Sequence, residues 1–112
     1  MDFSFTNRKL ERELSDGKAM KRAYGERARA LQNRLTTLAA AEKLSDVPMA
    51  PPDWREQLKG DRDEQFSVVL TKNWRLIFET DHDPIPRLND GGIDLEKVTA
   101  VRFIEVVDYH GK

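Results

Sequence analysis

Gln65-Phe66-Ser67-Val68-Val69-Leu70-Thr71-Lys72-Asn73-Trp74-Arg75-Leu76-Ile77-Phe78-Glu79 is the stretch that decides the fold. Its two ends carry the β-branched and aromatic side chains that suit a pleated, half-buried surface. Between them Thr71-Lys72-Asn73 reads as a tight turn, so the two runs form a β-hairpin. Strand alternation puts Trp74, Leu76 and Phe78 on one face and Arg75, Ile77 and Glu79 on the other.

Downstream, Asp81 to Asp94 mixes Pro84, Pro86 and Gly91-Gly92 with acids, which reads as a long loop, mobile or a contact surface. Val98 to Val107 is the most apolar run and is expected to be the central strand. Upstream, a polar Trp54-to-Gly60 segment closes in a Gly60-Asp61 turn, and Val47-Pro48-Met49-Ala50-Pro51-Pro52 is an extended connector. Before it a long helix is expected from about Met20 to Glu42, with Tyr24, Ala28, Leu31, Leu35 and Leu38 as its apolar stripe. Gly25 lowers its propensity without requiring an end. Asn7 can cap a first helix holding Leu10 and Leu14, interrupted at Gly17, and Phe3 and Phe5 alternate as a short strand. The expectation is one α+β domain over residues 1–112, ordered β-α-α-β-β-β, with helices on one face of a mostly antiparallel sheet. The other face is left partly open, and Arg75 and Arg102 are candidates to point there and bind a polyanion such as RNA, beside the plain alternative of solvated strand arginines.

Composition narrows the function classes. The absence of cysteine excludes a disulfide framework, a thiolate nucleophile and a cysteine zinc site. His82 and His110 are the only histidines, and Asp81-His82-Asp83 has no second histidine at usable spacing, so neither a metal nor another cofactor is expected. No apolar leader and no membrane-length apolar run are read, which predicts a cytoplasmic protein without a membrane partner. The net charge of -1 hides a segregated pattern. Lys18, Lys21, Arg22, Arg27, Arg29 and Arg34 face only Glu26 within their segment, whereas Asp81, Asp83, Asp90, Asp94 and Glu96 face only Arg87. A basic stripe of this kind suits phosphate binding, and Lys18, Lys21 and Arg22 are its candidates, beside the plain alternative of a solvated helix surface.

Three runs carry a resemblance: Gln57-Leu58-Lys59-Gly60-Asp61-Arg62, then Asn73-Trp74-Arg75 with its hairpin, and the terminal Asp108-Tyr109-His110. In this order and spacing the chain resembles the HigB-type toxins of the RelE superfamily, also called plasmid maintenance killer proteins. The resemblance implies a small microbial ribonuclease-like fold and the toxin of a type II toxin–antitoxin pair. It implies a ribosome-dependent endoribonuclease acting on translated messenger RNA. The implied partners are the ribosome, the message, and a helix-turn-helix antitoxin of the HigA kind, with operator DNA reached only through that antitoxin.

By the same resemblance Lys59, Arg62 and Arg75 would contact phosphate, and Asp108, Tyr109 and His110 would form the terminal catalytic cluster. RNA cleavage of this kind needs a base for the 2′-hydroxyl, neutralisation of the phosphorane and an acid for the departing 5′-oxygen. An imidazole at His110 can serve as base or acid near neutral pH. Tyr109 can donate a hydrogen bond or stack on a base, and Asp108 can orient the histidine. Glu56 stands where the family usually has a histidine. Either Glu56 takes over as proton acceptor, or the protein is a catalytically weak or inactive homologue that only binds an antitoxin or the ribosome. Trp74 is expected in the core. Trp54 is expected to pack the connector onto the sheet, with stacking on a base as the alternative.

Overall fold

The computed structural model describes residues 1–109. The elements follow the order β1 (Asp2–Phe5), α1 (Arg8–Ser15), α2 (Gly17–Tyr24), α3 (Ala28–Ala40), β2 (Glu56–Gln57), β3 (Gln65–Val69), β4 (Trp74–Thr80) and β5 (Ala100–Asp108). The strands make one five-stranded sheet in the order β1-β5-β4-β3-β2. Only β1 and β5 run parallel; the other neighbours are antiparallel. None of the described helices is long and apolar enough to cross a membrane.

The helices cover one face because their apolar stripes and the even-numbered residues of β4 meet there. Leu10, Leu14, Met20, Leu31, Leu35 and Leu38 pack in one buried cluster with Phe66, Val68, Leu76, Phe78, Val101 and Phe103. Aromatic rings run through it: Phe66 stacks on Phe78 at 5.8 Å, and Phe78 meets Phe103 edge-on at 6.2 Å. As expected, Asn7 caps α1 by accepting from the Leu10 amide at 2.8 Å.

Three local expectations are corrected. The helix expected from Met20 to Glu42 is broken: Gly25 takes a φ of 57°, ends α2, and passes through a 3₁₀ turn at Gly25–Arg27 before α3 begins. A positive φ there is open to glycine and strained for other residues, so Gly25 acts as punctuation. The middle strand is β4, and β5 lies one place from the edge, between β1 and β4. The segment after Trp54 contains a short strand, β2, whose Glu56 and Gln57 pair with Ser67 and Phe66. The acidic segment is a loop, as expected, anchored where Arg87 and Ile93 form a β-bridge and Ile93 is buried in the core cluster.

Register fixes what lies on the face away from the helices. Glu56, Ser67, Ile77 and Glu105 form one cross-strand row, and Val69, Arg75 and Val107 form the next. Ile77 and Ser67 are fully buried although they point away from the helices. The turn after β2 roofs them, because Arg62 reaches Gln65 on β3 and Glu105 on β5, spanning β4 between.

Candidate active site

Two depressions lie on this second face. The first is lined by Lys59, Gly60, Asp61, Arg62 and Tyr109. Its shape comes from the 3₁₀ turn Gly60–Arg62, in which Gly60 has a φ of 66° and lets the chain double back over the sheet. Arg62 donates to Gln65 Oε1 at 2.9 Å and forms an ion pair with Glu105. Its guanidinium carbon also stands 5.8 Å from the Tyr109 ring centroid. Lys59 is exposed and has no ion-pair partner among the described residues. Tyr109 is set by the sheet: its amide donates to Asn73 O at 2.9 Å, which carries the β5–β4 ladder one step beyond Asp108.

The second depression, about 510 Å³, is lined by Met49, Trp54, Arg55, Glu56, Val69, Lys72 and Arg75. Arg75 donates to the carbonyls of Lys72 and Trp74, at 3.0 and 3.4 Å, so it braces the hairpin turn from which it projects. Glu56 is exposed at the sheet edge. Burial holds the Arg55 guanidinium below its ordinary pKa range, and its Nε donates to Val47 O at 2.8 Å.

The sequence-derived candidates thus divide. Lys59, Arg62 and Tyr109 share one depression, and Glu56 and Arg75 share the other. Asp108 is exposed and lies in register with Trp74, so strand alternation sends it toward the opposite face from Tyr109. His110 lies outside the described residues. Lys18, Lys21 and Arg22 are exposed on α2, in the helical layer across the sheet, and join neither depression. Arg102 does face the second side, but Glu79 takes two of its hydrogen bonds, at 2.8 and 2.6 Å, and Asp81 stands 3.9 Å away. Those carboxylates raise the Arg102 pKa and balance its charge.

Other residues were read differently from sequence. Arg34, counted in the basic stripe, is buried, donating to Val69 O at 2.7 Å beside Asp53. Trp54 does not pack the connector down: it is 51% exposed. Trp74 is half-buried against the core, with Arg27 stacked 3.9 Å from its ring centroid. Glu105 and Lys72 were not singled out. Strand alternation alone would have put Glu105 on the face of Phe103; the bulge between these two residues turns it to the face it shares with Arg75.

Comparison with known proteins agrees with this architecture. Across 98% of this chain and 100% of the other, the fold is similar to the YoeB/ParE toxin from Agrobacterium tumefaciens, with a TM-score of 0.57 and 14% identity. Among curated proteins none matches the sequence. A family model described as the RelE-like toxin HigB of type II toxin–antitoxin systems matches residues 3–89, a span that includes Glu56, Lys59, Arg62 and Arg75. The chain therefore belongs to the HigB-like toxins, the RelE-like toxins of type II toxin–antitoxin systems.

Proposed function

We propose that the protein is a ribosome-dependent endoribonuclease that cuts translated messenger RNA by general acid–base transesterification with its own side chains. The observation that carries this reading is the meeting of Lys59, Arg62 and Tyr109 around one depression. Two cations beside a phenol, next to the end of β5, match what a scissile phosphate requires. The 2′-oxygen attacks phosphorus after losing its proton, and the 5′-oxygen leaves after gaining one. Lys59 and Arg62 neutralise the charge that builds on the phosphorane oxygens, with Arg75 adding a third cation from the hairpin. Tyr109 donates a hydrogen bond, and the proton transfers fall to Glu56 and His110.

In this reading the antitoxin is a small helix-turn-helix protein of the HigA kind, and operator DNA is reached only through it. The test is induction in growing cells. Growth should arrest, and primer extension should map cuts within codons of translated messages and none on the same RNA stripped of ribosomes. Cuts on naked RNA, or arrest undiminished in a folded Lys59→Ala, Tyr109→Ala double variant, would remove the assignment. A second reading, a silent homologue that binds its partner without cutting, rests on Glu56 in place of the family's histidine. It predicts ribosome or antitoxin binding with no mapped cuts.

A further inference from the structure

We propose that Trp54 is a stacking platform for one unpaired base of the RNA, set in a groove whose cations take the flanking phosphates. This rests on the ribonuclease reading and names how the substrate strand is gripped. Exposed large hydrophobic side chains are few among the described residues: Met49, Trp54 and Leu88. Met49, 66% exposed, and Trp54 line the same groove, together with Arg55, Lys72 and Arg75 and a single carboxylate, Glu56.

The outward indole is not slack in a loose connector. The segment is fixed on both sides: Trp54 N donates to Ala50 O and Arg55 N to Pro48 O, each at 3.0 Å, and Val69 N donates to Asp53 O at 2.9 Å. Trp54 itself has a φ of 49°, a left-handed conformation that non-glycine residues rarely adopt. The indole stands outward from this fixed segment, beside cations. A flat apolar ring with positive charge around it suits a single-stranded nucleic acid, in which every base has a stackable face and every linkage a negative charge. A protein partner's apolar anchor would be poorly served by so cationic a rim.

The test uses the whole chain and a short oligoribonucleotide with 2′-O-methyl sugars, which removes the attacking hydroxyl. Melting is measured first, and the exposed position predicts an unchanged Tm for Trp54→Ala. On titration at low salt, tryptophan emission should be quenched in the wild type, and the quench should vanish in Trp54→Phe while affinity is largely kept. Trp54→Ala should weaken binding by about 10-fold or more, the worth of one stacked base. Its slope of log affinity against log salt should match the wild type, whereas Lys72→Ala should lower that slope by roughly one phosphate contact. An oligonucleotide with abasic positions should bind wild type and Trp54→Ala alike. If Trp54→Ala binds as well as wild type while the wild type still cuts translated message, the platform is wrong and the ribonuclease reading stands. If Trp54-dependent, base-dependent binding appears in a chain that never cuts, the ribonuclease reading fails and the platform survives. Failure of the wild type to bind the oligonucleotide at any salt overturns the platform and leaves the indole to a protein partner.

Discussion

The guanidinium carbon of Arg62 stands 5.8 Å from the ring centroid of Tyr109, joining a turn in mid-sequence to the end of the last strand. This contact separates the two services of the phenol, since the ring can hold Arg62 while only the hydroxyl can donate to RNA. Tyr109→Phe should therefore keep the Tm and RNA affinity of the wild type while lowering the cleavage rate. Tyr109→Ala should lose both affinity and rate. Cleavage of a reporter message in a translation extract, with parallel melting curves, checks the pair.

Lys59 and Arg62 should part company when each is changed to alanine. Lys59 has no ion-pair partner among the described residues, so Lys59→Ala should leave stability within about 0.5 kcal/mol and cut the rate roughly 10- to 150-fold. Arg62 also roofs the buried Ile77 through Gln65 and Glu105. Arg62→Ala should show a similar loss of rate and in addition lose about 1 kcal/mol or more of stability. Equal stability losses in the two variants would contradict the bridging role.

Glu56 can be tested by exchange. As a proton acceptor its replacement by glutamine should lower the rate by about 100-fold, within the usual range for a general base. Glu56→His should retain or raise activity near pH 7, where an imidazole is better matched to proton transfer. Unchanged cleavage in Glu56→Gln would reduce this residue to an exposed strand-edge carboxylate.

Tyr24 gives the fold a pH dependence on the alkaline side. Burial first, and then the hydrogen bond to Glu13 at 2.7 Å, push its phenol above the ordinary tyrosine range. A raised folded value favours the protonated form in the native state. Its contribution is present below the unfolded value of about 10 and is lost as pH rises above it, because the unfolded chain ionises first. The Tm advantage of wild type over Tyr24→Phe should shrink above about pH 10 and be constant around neutrality.

The scaffold behaves differently from the site. Leu31, on the inner face of α3, is fully buried, and Leu31→Ala should cost roughly 2–5 kcal/mol by leaving a cavity. Its cleavage rate per folded molecule should stay near the wild-type value, as a denaturant titration beside the activity assay would show.

The hairpin was legible because β-branched and aromatic residues alternate on both sides of Thr71-Lys72-Asn73, a local signal. The break at Gly25 was not, because the stripe Tyr24, Ala28, Leu31 keeps helical spacing across the turn and conceals it. Strand β2 escaped because two exposed polar residues carry no alternation; it exists through pairing with Ser67 and Phe66. Arg34 looked like part of a basic surface, yet the carbonyl that satisfies it belongs to Val69, 35 residues away. Within the site, the cationic turn could be read from its residues, whereas the outward Trp54, with its positive φ, is not announced by composition. Neighbouring Asp108 and Tyr109 diverge for a simpler reason, the two-residue repeat of the strand they finish.

Strand β5 is hydrogen-bonded to the first strand on one side and to β4 on the other. Synthesis runs from the N-terminus, so the helices and the hairpin emerge before the strand that must slot between β1 and β4. Until that late segment is free, Tyr109 has no ladder to hold it and the Lys59 turn faces an incomplete floor. The two walls of the depression at Lys59 and Tyr109 therefore come together only once β5 has its place in the sheet.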